Sequence, residues 1–127
     1  MERALVILAG VYGLLGVGLG AFGAHGLRSF LAPLEDGAQR AEWWETAARY
    51  HLIHALAIGF TACLVSRGRG IAARAAGIAF AAGVIVFSGS LYAMTLTGAR
   101  WLGAVTPLGG LLLMIGWACV ILAALRP

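Results

Sequence analysis

Residues 75–96 read AAGIAFAAGVIVFSGSLYAMTL, a run without a single charge. A helix needs about 20 apolar residues to cross ~30 Å of hydrocarbon, and this run reaches that length. Its apolar residues do not alternate with polar ones as a barrel strand requires, so in lipid only a helix satisfies its backbone N–H and C=O groups. Working outward, three further apolar stretches reach a similar length: Ala4 to Ala24, Trp44 to Val65, with Glu45 and Arg49 near its start, and Thr106 to Leu125. The expectation is an all-α polytopic membrane protein, a four-transmembrane-helix bundle. It forms a single domain over residues 1–127, with helices at about 4–24, 44–65, 75–96 and 106–125.

Composition agrees with lipid as the solvent. Hydrophobic residues make up 61% of the chain and charged residues 11%, roughly half the charge of a soluble domain. The first stretch follows Arg3 and ends in small residues, but about twenty apolar residues exceed the core of a secretory signal, so it reads as a spanning helix.

The net charge of +4 comes from nine arginines and no lysine. They are dispersed along the connectors without interleaved aromatics, which argues against nucleic acid as a partner. Arg3, Arg67, Arg69, Arg74 and Arg126 fall on one side of the bilayer, and Arg28, Arg40, Arg49 and Arg100 on the other together with Glu35, Asp36, Glu42 and Glu45. Five arginines against four, three of them in one tight link, predict that both termini are cytoplasmic.

The first helix carries Gly13, Gly16, Gly20 and Gly23 at spacings of three and four. This stripe predicts close helix contact, either within the chain or in a homo-oligomer, because tight approach drives association where burial of apolar surface does not. Leu27, Phe30 and Leu31 predict a short segment resting on the interface, and Trp43-Trp44 an interfacial aromatic belt. Thr106 before Pro107 predicts a helix start, with Thr106 as the N-cap. Cys63 and Cys119 lie toward cytoplasmic helix ends and read as small hydrophobes, not as a disulfide or a metal pair.

Four motifs stand out in order along the chain: Gly20-Ala-Phe-Gly-Ala-His-Gly26, Tyr50 with His54-Ala-Leu56, Phe87-Ser-Gly-Ser-Leu-Tyr92, and Thr106-Pro-Leu-Gly-Gly110 with Gly116-Trp117. Their order makes the resemblance they carry, which covers nearly the whole chain, specific. The sequence resembles the bacterial domain-of-unknown-function 423 group, whose eukaryotic relatives are called transmembrane protein 256-like. The resemblance implies a small four-helix protein of the bacterial inner membrane and brings no reaction, substrate or cofactor with it.

The polar residues with capacity for chemistry are His25, Tyr50, His51, His54, Ser88 and Tyr92. On an ideal helix Tyr50 and His54 are about 40° apart and His51 is about 60° beyond His54, so a shared patch is sterically open. The depth of His54 depends on the helix start: about 15 Å below the interface measured from Trp44, about 7 Å from Arg49. The leading expectation is that Tyr50 and His54 bond to Ser88 or Tyr92 and orient the helices. Proton or small-solute binding is the second reading, since imidazole exchanges protons near neutral pH. A metal or haem role is weak, because His51-x-x-His54 lacks further ligands, and a nucleophilic Ser88 lacks a positioned base. The sequence therefore predicts a nonenzymatic scaffold or accessory subunit without cofactor or metal, held among membrane lipids as a homo-oligomer or in a larger membrane complex. The alternative is a small-solute or proton binding or transport protein using His25, Tyr50, His54 and Ser88.

Overall fold

The computed structural model describes residues 1–125; Arg126, counted above among the topology arginines, lies outside them. Four long helices are α1 (Glu2–Ala24), α3 (Gly37–Ser66), α4 (Gly70–Thr97) and α5 (Thr106–Leu125), with a short α2 (Gly26–Leu31) and a 3-10 turn (Arg100–Ala104) in the connectors. Each of the four meets the length and apolarity needed to cross a membrane, the last together with the 3-10 turn before it. Among the described residues there is no strand.

α3 and α4 form the centre, with α1 packed chiefly on α3 and α5 on α4. Their shared core holds Leu5 of α1, Ala57, Ile58 and Ala62 of α3, Ala76, Phe80 and Val84 of α4, and Leu113 of α5. Three alanines lie among these larger side chains, and Gly77, Gly83 and Gly116 leave no room for a Cβ beside Leu5, Leu113 and Phe80, so the helices approach closely. The outer flanks of α1 and α5 expose large aliphatic side chains, Leu14 and Met114 among them, as surfaces bathed in hydrocarbon should.

The connectors obey local rules. Pro33 follows α2, where a ring without an N–H cannot continue a helix. Gly68 and Gly70 in the α3–α4 link have φ of 76° and 63°, and Gly98 ends α4 at φ 72°, a region that side-chain-bearing residues rarely enter. The Gly98 N–H closes α4 by donating to the Met94 carbonyl at 2.9 Å, the usual left-handed C-terminal seal.

The structure corrects several expectations. α3 begins at Gly37 and not at Trp44, so its 30 residues extend about 45 Å, well beyond the hydrocarbon core. Hydropathy marks the part of a helix that touches lipid, and the polar turns from Gly37 onward fall outside it. Trp44 is not a belt residue. It is 3% exposed, donates its indole N–H to the Leu19 carbonyl at 2.8 Å, and packs with Leu27 and Leu31 of α2, which tucks α2 against the bundle. Thr106 is not an N-cap with a side-chain bond forward into α5; its hydroxyl turns back to the Leu102 carbonyl at 3.2 Å.

The glycine stripe divides in two. A Cβ at Gly16 would stand 2.7 Å from Leu52 Cδ2, and one at Gly23 would stand 2.5 Å from Trp44 Cδ1, whereas at Gly13 or Gly20 it would meet nothing within 4 Å. Gly16 and Gly23 are seven residues apart and share one helical face. Gly13 and Gly20 form a second face about 60° around the helix.

Candidate functional site

α3 supplies both buried histidines, and they face different neighbours. His54 turns toward α5. Its Nδ1 is 2.8 Å from the Tyr50 carbonyl, and because a carbonyl only accepts, Nδ1 carries the proton. Its Nε2 therefore presents a lone pair, and the Trp117 indole N–H donates to it at 3.2 Å. A single neutral tautomer satisfies both partners. A second proton, at Nε2, would set two N–H donors against each other and break the tie to α5.

Aromatic rings enclose this imidazole. Tyr50 stacks on it with centroids 5.9 Å apart and planes at 14°, Phe80 lies 5.5 Å away, and Trp117 meets Phe80 edge-on at 5.0 Å. Above His54 a cleft of about 490 Å³ opens between Tyr50, Phe87, Pro107, Leu111 and Trp117. His54 is 4% exposed and Tyr50 40%, so the histidine forms the floor and the tyrosine the rim.

His51, some 60° away around α3, turns toward α1 and α4 instead. Its Nδ1 is 3.2 Å from the Tyr92 hydroxyl, and the Tyr12 ring meets it edge-on at 5.6 Å. Tyr12 donates to the Ala81 carbonyl at 3.0 Å. Ser88 donates to the Ala47 carbonyl at 2.8 Å. Neither Ser88 nor Tyr92 therefore bonds to Tyr50 or His54. The expected pairing is corrected to His54 with Trp117 and His51 with Tyr92, because the rotation between the two histidines assigns them to opposite sides of α4. His25 is exposed at the break between α1 and α2 and does not line the cleft above His54.

At the loop-bearing end, Arg40 Nε lies 2.9 Å from Asp36 Oδ1 and Arg100 Nη2 lies 3.6 Å from Asp36 Oδ2. The Arg40 N–H is angled away from good hydrogen-bond geometry, so the contact is best described as a close ion pair. Contact with the Arg40 guanidinium holds the Asp36 carboxyl below its ordinary range, and the Arg100 charge adds to this. Arg100 also donates to Gln39 Oε1 at 3.1 Å and lies 5.7 Å over the Trp43 ring.

Several polar side chains within the spans tie one helix to another, whereas Thr61 bonds back to the Ile58 carbonyl of its own helix. Tyr12 joins α1 to α4, Trp44 joins α3 to α1, Ser88 joins α4 to α3, and Trp117 joins α5 to α3. Ser90 and Thr106, 2.7 Å apart, join α4 to α5. Sequence reasoning missed Tyr12 and gave Trp117 no partner. A tyrosine and a tryptophan at mid-helix, each bearing an N–H or O–H that hydrocarbon cannot satisfy, were the available signals. Among the described residues no group of three His, Cys, Asp or Glu side chains gathers closely enough to hold a metal ion.

Comparison with known proteins follows the same lines. The family described as "Protein of unknown function (DUF423)" matches residues 19–110. The UPF0382 membrane protein YwdK of Bacillus subtilis is 39% identical over 125 residues, covering 98% of this chain and 98% of its own length. A UPF0382 membrane protein of Staphylococcus epidermidis, SERP0230, is 38% identical and covers 98% and 97%. The UPF0382 inner membrane protein YgdD of Escherichia coli K12 is 36% identical, covering 98% and 92%. No solved structure matches the chain.

Proposed function

This chain belongs to the DUF423 family of membrane proteins, and from that premise we propose that it is a nonenzymatic scaffold or accessory subunit of the bacterial inner membrane. Both termini and the Arg67 to Arg74 link lie in the cytoplasm in this reading. The observation that carries the proposal is the saturation of His54: both nitrogens are engaged, one by the Tyr50 carbonyl and one by Trp117. An imidazole so bonded acts as a joint between α3 and α5. Membrane lipids cover its outer faces, and α1, the least buried of the spanning helices, is the face offered to a second copy or a larger membrane complex.

The alternative, a solute or proton carrier, draws its support from the cleft above His54. It has less behind it, because His25, Tyr50, His54 and Ser88 do not converge and a carrier needs His54 to change partners. Gentle extraction of the tagged chain at its native level, followed by native mass spectrometry, tests the proposal. A defined assembly containing a second copy or a stoichiometric membrane partner is the expected result. A lone monomer that moves protons or solutes across proteoliposomes would overturn it.

A further inference from the structure

α1 and α3 run side by side with a crevice between them. At the loop-bearing end it holds a pocket of about 130 Å³ bounded by Gly20, Ala24, Arg28, Trp44, Glu45 and Ala48. Further along lies an apolar groove of about 650 Å³ between Gly13 and Val17 of α1 and Leu52, Leu56 and Gly59 of α3. The two are in line: Gly13, Val17, Gly20 and Ala24 recur at intervals of three and four, as do Glu45, Ala48, Leu52, Leu56 and Gly59, so each set shares one helical face. Counted back from Ser66, about 20 residues of α3 cross ~30 Å of hydrocarbon, which puts the far boundary near Ala47. The pocket therefore stands at the level of lipid headgroups and the groove at that of acyl chains.

Arg28 and Glu45 give the pocket its chemistry. Both are exposed, and among the described residues neither forms an ion pair or hydrogen bond, with each other or with any other group. An unmatched cation and an unmatched anion on one small pocket suit a ligand that carries both charges. A guanidinium binds phosphate through paired N–H donors, and a carboxylate accepts from a primary ammonium. Trp44 adds no competing donor, since its indole N–H is spent on the Leu19 carbonyl. A Cβ at Gly13 or Gly20 would meet nothing within 4 Å, so the half of the glycine stripe that no neighbouring side chain fills is what keeps this crevice open.

We infer that the crevice binds a phospholipid with a phosphoethanolamine headgroup: Arg28 takes the phosphate, Glu45 takes the ammonium, and an acyl chain lies along Gly13, Val17, Leu52 and Leu56. Phosphatidylcholine offers Glu45 no N–H, and phosphatidylglycerol offers it no cation. The site is separate from the His54 joint. The flank of α1 that bears Leu14, 76% exposed, stays free for protein contacts, so the assembly proposed above stands or falls separately.

Full-length protein, stripped of lipid in detergent, is titrated with phosphatidylethanolamine, phosphatidylcholine and phosphatidylglycerol of identical acyl chains and weighed by native mass spectrometry. A saturable one-to-one adduct with phosphatidylethanolamine is expected, about tenfold or more tighter than with the other two, a difference of about 1.4 kcal/mol. Glu45→Gln should erase the preference over phosphatidylcholine, and Arg28→Gln should weaken all three lipids. Both side chains are exposed, so these variants should keep the wild-type melting temperature. Gly20→Leu, which fills the pocket, should weaken phosphatidylethanolamine about tenfold or more. Equal affinity for the three lipids would overturn the inference, as would a preference that survives both charge substitutions. So would a dimer that binds no lipid and dissociates on Gly20→Leu, which would give the crevice to a second copy.

Discussion

Arg40 and Thr95 meet twice across the α3–α4 interface: Arg40 Nη1 donates to the Thr95 carbonyl at 3.4 Å, and the Thr95 hydroxyl shares its one proton between the Arg40 carbonyl at 3.1 Å and the Leu91 carbonyl of its own helix at 2.9 Å. Thr95 is fully buried, so its hydroxyl has no water to fall back on. Thr95→Val keeps the shape and removes the donor. It should cost about 1 kcal/mol, with a lower melting temperature in detergent.

The Asp36 clamp predicts a pH dependence with a definite sign. Contact with Arg40 lowers the folded-state pKa of this carboxyl below its ordinary value. Its contribution to stability is therefore complete above the unfolded pKa of about 3.9 and disappears as pH falls through the lower folded value. Melting temperatures of the wild type and Asp36→Asn should differ at neutral pH and converge as the medium is acidified through that window. A difference that stays constant down to the lowest pH would deny the clamp its role.

Gly16 and Gly20 should respond oppositely to enlargement. Gly16→Leu forces a side chain into Leu52 and His51, so it should separate α1 from α3 and lower stability. Gly20→Leu enters open space and should leave the monomer's melting temperature unchanged. If the α1 face that carries Gly20 is where a second copy docks, the same substitution lowers the oligomer mass. Equal destabilisation by both variants would contradict the division of the stripe.

How much of this was legible in the sequence depends on dimension. The number and class of the helices follow from apolar length, a one-dimensional property, and four runs announced them. The start of α3 did not, because residues 38–43 are too polar to register as a span; yet no glycine or proline occurs between Gly37 and Gly59, and that continuity was the available signal. Partner choice was hidden for a different reason. His51 and His54 are both plausible inward residues, but only the rotation of α3 against α4 and α5 decides that one meets Tyr92 and the other Trp117. Trp44 likewise resembles its neighbour Trp43, and one step of helical phase separates a buried donor from a half-buried platform for Arg100.

Orientation is open to chemical labelling. In a background without Cys63 and Cys119, single cysteines replace Glu35 and Ser66, both exposed and on opposite ends of the bundle. The arginine bias predicts that a membrane-impermeant thiol reagent added to intact cells modifies position 35 and spares position 66. The reverse pattern would place the termini outside.

The joint between His54 and Trp117 gives the sharpest test of the structural reading. His54→Ala leaves the Trp117 indole N–H without an acceptor in a site that excludes water, and it should destabilise the protein by about 1 to 3 kcal/mol. Trp117→Phe leaves Nε2 unpaired, although the ring that packs on Phe80 is largely retained. The two losses describe one bond, so the double variant should cost less than the sum of the single ones, and a thermodynamic cycle should return a coupling of about 0.6 to 2 kcal/mol. His54→Gln keeps a donor and an acceptor on one side chain and should recover part of the stability. Strict additivity of His54→Ala and Trp117→Phe would show that the bond contributes nothing. The saturation of His54 would then no longer argue for a structural role, and the cleft above it would regain its claim as a binding site.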